Sequence, residues 1–422
     1  MNIDYKLFTQ ILKEELVPAL GCTEPIAIAY LASYARDVLG TRPEKIVMEV
    51  SGNVLKNVKS VIVPNTDQLK GIQAACAAGI VCGITEKQLE VISQVQPSQQ
   101  QEIKNYLQSC PIQIKASTSP HIFDLFLHAY ADENECHVRI LHYHTNIVYV
   151  EKNGVVLKDE NTDIIQEDVC DKSSLTIEKI VEYAKTVNLE DVKPTLDRQI
   201  EYNMAIANEG LKHSYGCNIG SILLEHNPND IVTKMKAYAA AGSDARMNGC
   251  EMPVIIVSGS GNQGMTASIP VIVYAREKGY SQEQLYRALL VSNLVTIHQK
   301  SGIGRLSAFC GAVSAGVGSG AGIAFLETQS YHAVAHTMVN ALAIISGMVC
   351  DGAKASCAAK IQAAVDAGWM GYLMYTNKKE FKDGDGLIVK GVENTIDNIA
   401  NLAKEGMKET DKEIIKMMIN RC

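Results

Sequence analysis

The chain is 422 residues long, 47% hydrophobic and 20% charged, a balance that sustains a globular core and two, or three, domains without disulfides. Its formal net charge of −8, with no run rich in lysine or arginine, excludes a surface built to hold nucleic acid or anionic lipid. Twelve cysteines are scattered along the whole length, unlike the dense framework of a small secreted scaffold, and in a reducing compartment they serve as thiols, ligands or nucleophiles.

The first residues carry charge at Asp4 and Lys6 and contain no apolar signal core, so a cytoplasmic location is expected. Residues 5–39 read as two helical segments interrupted between Pro18 and Pro25. Thr23 is the expected cap of the second helix, with Pro25 in its first turn. Cys22 then lies just before a helix N-terminus, where the dipole lowers a thiol pKa.

From about residue 45 to 160 the period shortens to two. Residues 46–50, 60–63, 111–114, 137–140, 147–150 and 155–157 read as strands, with a helix over 71–83 and a turn at Asn153-Gly154. This predicts an α+β unit with a mainly antiparallel sheet. Residues 160–195 are polar and charged, a linker plus a helix. Beyond about 197 nearly every segment reads as helix broken by glycine clusters. The expected organisation is an N-terminal α+β domain over 1–195, whose first helices are free to pack on the second domain, and a Gly/Ala-rich helical domain over 196–422. Residues 306–326 hold no charged side chain and are long enough to span a bilayer. Gly, Ala and Ser dominate them, however, which favours close-packed internal helices.

Gly259-Ser260-Gly261-Asn262-Gln263-Gly264 matches a dinucleotide fingerprint and follows an apolar run. The second strand that such a unit requires is missing, since two helical segments follow. The same loop at a helix N-terminus suits an anion such as an amino-acid carboxylate, with Gly261 and Asn262 as contacts. A plain helix-entry turn is the alternative.

Cys310, Cys350 and Cys357 are the cysteines whose surroundings suggest ligands. Cys350 and Cys357 are seven residues apart, which on an unbroken helix separates them by ~10 Å along the axis. Asp351-Gly352 offers a break that would bring them together. The spacing lacks the tight pattern of ferredoxins or structural zinc sites, so buried core cysteines remain an equal reading of the pattern alone.

Taken together, Gly21 to Pro25, Ser51 to Asn57, Ser258 to Gly264, Ser301 to Gly311 and Cys350 to Cys357 resemble, in order, the L-cysteine desulfidase family, relatives of the iron–sulfur L-serine dehydratase α chain. The resemblance implies a carbon–sulfur lyase with a 4Fe–4S cluster on Cys310, Cys350 and Cys357, and Cys22 as fourth ligand. Cys422 is an alternative to Cys22, because a C-terminal cysteine is implied to cap the cluster in the dehydratases.

The expected reaction is α,β-elimination of L-cysteine to pyruvate, ammonia and sulfide. Its cofactor is the cluster and its partner a small-molecule amino-acid substrate; neither nucleic acid nor a membrane is involved, and a homodimer is left open. Ser51, Asn53, Lys56 and Asn57, read as a polar loop between strands, are the substrate-binding candidates, with Lys56 neutralising the carboxylate. His298 and Lys300 are the general-base candidates. Arg305 is assigned to structure or carboxylate pairing, and His332 and His336 to a helix face. The competing readings are an L-serine dehydratase on the same scaffold and a non-lyase iron–sulfur redox or sensor protein.

Overall fold

Alternating apolar residues after residue 44 build a six-stranded sheet, and longer apolar stripes in the second half build a helical assembly with a core of its own. A computed structural model describes residues 3–119, 121–160, 170–304 and 307–419. The order begins α1 (Tyr5–Glu15), β1 (Pro18–Leu20), α2 (Thr23–Leu39), β2 (Lys45–Val50), α3 (Gly52–Val58), α4 (Gly71–Cys82) and α5 (Pro97–Ser109). It continues with β3 (Ile112–Ala116), β4 (Asp124–Ala131), β5 (Asn134–Leu141), β6 (Ile147–Lys152) and β7 (Val155–Asp159).

The large sheet has the order β3-β2-β4-β5-β6-β7. Only its β2–β3 pair is parallel; the other pairs are antiparallel. A rung of Ile114, Met48, Leu127, Val138 and Val150, buried except for the half-buried Ile114, crosses five strands in register. Because side chains alternate across a strand, this rung presents one apolar face, and Ile28 and Leu31 of α2 with Ala75 and Ile80 of α4 close over it. The chain is α+β, as its periodicity predicts.

Three local expectations change. Residues 60–63 form no strand, only an isolated bridge between Ile62 and Lys70. Strand β4 was not anticipated, because Phe126, His128 and Tyr130 on its other face interrupt a simple polar alternation. Ser51, Asn53, Lys56 and Asn57 do not form a loop between strands: Ser51 is the cap position of α3, and the other three lie on that helix.

The helical half comprises α6 (Ile177–Thr186), α7 (Lys193–Lys212), α8 (Ile219–His226), α9 (Ile231–Met247), β8 (Pro253–Ile255), α10 (Gly261–Lys278) and α11 (Gln282–Ile303). There follow α12 (Gly311–Thr328), α13 (Tyr331–Ile344), α14 (Cys357–Thr376), α15 (Val392–Asn401) and α16 (Lys408–Ile419). Its core gathers Leu196, Ile269, Leu294 and Val317, and also Phe8, Ile11 and Leu12 of α1. The first two helices therefore part company, α1 joining the helical core and α2 the sheet. The short ribbon of β1 on β8, pairing Pro18 with Ile255, ties the chain between them to the helical half.

The uncharged stretch from residue 311 becomes α12, buried over nearly all its length, and no described helix is long and apolar enough to cross a membrane. Its small residues let helix backbones touch. A Cβ on Gly320 would stand 2.5 Å from the Gly368 carbonyl oxygen of α14. Gly320→Ala is accordingly expected to destabilise the protein by about 1–3 kcal/mol, the usual effect of overpacking a rigid core, measured as a lowered thermal midpoint.

Asp244, fully buried on α9, accepts a hydrogen bond of 3.0 Å from the Gly220 N–H and so holds the start of α8. Burial pushes its carboxyl up to about 6, although the Gly220 and Ile219 N–H groups act in the opposite direction. The folded state therefore binds this proton more tightly than the unfolded one, and the ionisation penalty grows as pH rises from about 4 to about 6. Asp244→Asn keeps an acceptor and removes the charge. Relative to wild type, the variant should gain stability across that interval and keep the gain at neutral pH, read from denaturation midpoints at each pH.

Candidate active site

Cys310 and Cys350 are placed by backbone hydrogen bonds rather than by helix spacing. Phe309 and Val349 form an antiparallel bridge. The Cys310 N–H donates to the Met348 carbonyl at 2.8 Å and the Cys350 N–H to the Ala308 carbonyl at 2.6 Å. The two thiols then hydrogen-bond each other. Cys310 supplies that hydrogen bond, and with Lys56, the Gly352 N–H and Lys360 it holds the Cys350 thiol well below its ordinary value despite burial. The Cys310 thiol is pushed up correspondingly, by its bond to Cys350 and by burial. The pair thus favours one proton and one thiolate.

Asp351-Gly352 does break the chain between Cys350 and Cys357. Gly352 adopts φ +94°, and a Cβ there would lie 2.2 Å from the Lys56 carbonyl oxygen. Only glycine fits this turn against α3. Cys357 opens α14, with its N–H on the Lys354 carbonyl at 2.9 Å. Cys350 lies outside any helix, in the link from α13, rather than at a helix end.

Cys22 occupies the cap position of α2, so the helix starts at Thr23, one residue earlier than a Thr23 cap implies. Its thiol is buried and lies 3.0 Å from Glu24 Oε2. Burial and the Glu24 charge push its pKa well up, overcoming the helix-end effect expected from sequence. Glu24 also accepts from Thr23 Oγ1 at 3.1 Å and from Asn57 Nδ2 at 2.9 Å. Burial alone would raise the Glu24 carboxyl, but His144, the Cys22 hydrogen bond, its own backbone N–H and Arg246 together hold it below the usual carboxylate range. It is a buried carboxylate rather than a buried acid.

All four cysteines line one cavity of about 120 Å³, together with Glu24, Asn57, Arg246, Asn262, Gln263 and Lys300. Three of them, Cys22, Cys310 and Cys357, stand at the N-terminal ends of helices, where the positive dipole ends favour anionic sulfur. The volume is below the range of pockets that hold drug-sized molecules, which leaves a dinucleotide no room. The glycine loop confirms this: its strand β8 pairs antiparallel with β1 and no parallel partner follows. Its backbone at Ser258 and Gly259 takes φ +49° and +78°, and Ser258, Gly259, Ser260 and Asn262 form part of the cavity wall.

Other predicted residues lie elsewhere. Lys56 is buried against Asp411 of α16 at 2.5 Å and does not line the cavity. Ser51 Oγ donates to the Ile122 carbonyl at 2.8 Å. Neither Ser51 nor Asn53 is in the cavity wall, and Gly261 reaches it only through its neighbours. His298 Nε2 is 2.7 Å from Glu393 Oε2, outside the wall, whereas Lys300 is part of it. His336 pairs with Glu380, outside the cavity wall. Arg305 and Cys422 lie outside the described residues. The cavity also contains groups that were not singled out from sequence: Arg246, Gln263, His142 and His144. A charged residue after the alanine-rich run of α9 and a His-x-His between two strands were the available signals.

Among the described residues, no group of three or more Cys, His, Asp or Glu side chains is placed to hold a metal ion. A cluster of several irons makes a different demand, since its thiolates surround a larger body. Cys310, Cys350 and Cys357 around one cavity, with Cys350 favouring the thiolate, are a donor set of the right chemistry for it.

The serine dehydratase alpha chain family matches residues 86–416. A UPF0597 protein of Desulfitobacterium hafniense is 58% identical over 419 residues, covering 99% of this chain and 97% of its own. One from Lachnoclostridium phytofermentans is 48% identical over 99% of this chain and 100% of its own, and one from Bacteroides thetaiotaomicron 34% identical over 99% and 98%. With likeness of this extent along its whole length, the chain belongs to the UPF0597 group of the serine dehydratase α-chain family.

Proposed function

We propose that the protein is a lyase that eliminates sulfide from L-cysteine, yielding aminoacrylate, which hydrolyses to pyruvate and ammonia. The observation that carries this reading is the meeting of four cysteines, from separate segments, with a buried carboxylate, an arginine and a lysine in one small cavity. A redox centre has no use for that set of ionic groups; an amino-acid zwitterion does. Cys310, Cys350 and Cys357 would hold a 4Fe–4S cluster, with Cys22 as a displaceable fourth thiol. When bound, the cluster supplies a Lewis acid toward the leaving group.

The remaining work falls to the chain itself. Elimination breaks the Cα–H bond and the Cβ–S bond, and the electron pair from the first forms the C=C bond as sulfide leaves with the second. The proton needs a base at the cavity. Lys300 Nζ is assigned that role over His298, because α11 carries Lys300 into the wall and turns His298 toward Glu393. Glu24, fixed by Thr23 and Asn57, holds the Cys22 thiol at a set position and keeps its proton. The apolar wall formed by Phe123, Phe309 and Ile361 limits water around the reacting carbon.

The family match favours L-serine as the second reading. Hydroxide is the poorer leaving group, so serine asks more of a Lewis acid than cysteine does. Anaerobic reconstitution with iron, followed by sulfide and pyruvate assays on L-cysteine and L-serine in parallel, decides between them. The expected result is sulfide with equimolar pyruvate from L-cysteine. Cys310→Ala and Cys350→Ala should each lower turnover at least 100-fold and lose bound iron. Pyruvate from L-serine alone replaces the desulfidase reading with the dehydratase. An intact cluster without turnover of either substrate sinks both.

A further inference from the structure

Arg246 is a buried cation of the cavity wall with an unpartnered donor. It sits next to the C-terminal residue of α9 and is 3% exposed. Its Nη1 meets Asn262 Oδ1 at 3.2 Å, while its buried Nε has no partner among the described residues. A buried arginine donor without an acceptor is costly unless something else supplies one.

The surroundings define what that acceptor is. A Cβ on Gly261, the first residue of α10, would stand 2.4 Å from Arg246 Nε. The guanidinium therefore lies across the start of an 18-residue helix whose cap residue, Ser260, gives no side-chain hydrogen bond to the first turn. Uncapped N–H groups and a guanidinium facing one space make a receptor for a planar oxyanion. Lys56, the cation expected for this task, is committed to Asp411.

Two further groups give the site polarity. Gln263 is 4% exposed and its Oε1 has no partner among the described residues, an acceptor ready for a cation. The Glu24 carboxylate, in the same wall, repels a substrate carboxylate and attracts an ammonium. We propose that Arg246, with the start of α10, binds the α-carboxylate of the substrate, while Gln263 and Glu24 face its ammonium. Resting on the amino-acid lyase reading, this makes the protein selective for free α-amino acids over their amides, esters or decarboxylated amines.

Binding tests the assignment apart from turnover. L-Alanine carries the carboxylate and ammonium but has nothing to eliminate; L-alaninamide lacks the anion. Calorimetry on the full-length, iron-loaded protein is expected to show L-alanine bound at least 100-fold more tightly than L-alaninamide, the usual penalty for an unpaired buried charge. Arg246→Gln should erase that preference, and Arg246→Lys, which keeps the charge, should restore part of it with iron content unchanged. A wild-type protein that does not distinguish the two ligands overturns the proposal, as does an Arg246→Gln variant that still does. In kinetics, the same variant should raise KM for L-cysteine far more than it lowers kcat. A fall in kcat alone, with KM unchanged, would reassign Arg246 to the cysteine cluster. Should L-cysteine not be turned over at all, the lyase reading fails while the binding preference still judges the carboxylate site.

Discussion

A carboxylate buried at Glu24 is the constraint around which the two halves of the molecule are arranged. Removing such a charge from water is expensive, and it stays ionised only if donors and positive charge surround it. Those partners come from distant parts of the chain: Cys22 and Thr23 from its own helix end, Asn57 from α3, His144 from the link between β5 and β6, and Arg246 from α9. Satisfying one carboxylate therefore brings the sheet and the helical assembly together.

The same junction carries the cysteines. Gly352 packs its backbone onto the Lys56 carbonyl, so the link holding Cys350 and Cys357 is seated directly on α3. The Lys56–Asp411 pair then fastens α16 to α3. Buried ion pairs contribute little net stability but make a register specific, and here they fix the short helix to which both walls of the cavity refer. Helix N-termini at Cys22, Cys310 and Cys357 add a field that favours negative sulfur, against which the buried Glu24 acts on Cys22 alone. The result is a set of thiols with unequal proton affinities in one space, Cys350 low and Cys22, Cys310 and Cys357 high.

Much of this was legible in the chain. The change from period two, which ends near residue 160, to helical segments beyond about 197, and the mainly antiparallel character of the sheet, follow from alternation and turn chemistry. The grouping of Cys310, Cys350 and Cys357 followed from a resemblance spread over most of the chain, as spacing alone left buried core cysteines equally plausible. Strand β4 escaped notice because its outer face is aromatic, and residues 60–63 misled because Val61, Ile62 and Val63 favour a strand yet find only the single bridge from Ile62 to Lys70. His298 and Lys300, two residues apart on one helix, could not be ranked, since that spacing puts them on nearly opposite faces of α11 and only packing decides which face meets the cavity.

Local chemistry in the sequence determined the elements themselves: which stretches bury a face, that Pro25 falls in a first helical turn, that Asp351-Gly352 keeps Cys350 and Cys357 off one continuous helix, and that Gly/Ala/Ser runs pack as internal helices. Those are short-range matters of dihedral angle, hydrogen bonding and residue size. Which charges share a cavity was decided only by the tertiary structure. Lys56 turned to Asp411 and Arg246 to the glycine loop because each buried charge takes the partner that packing brings within reach, and that partner lies hundreds or tens of residues away along the chain.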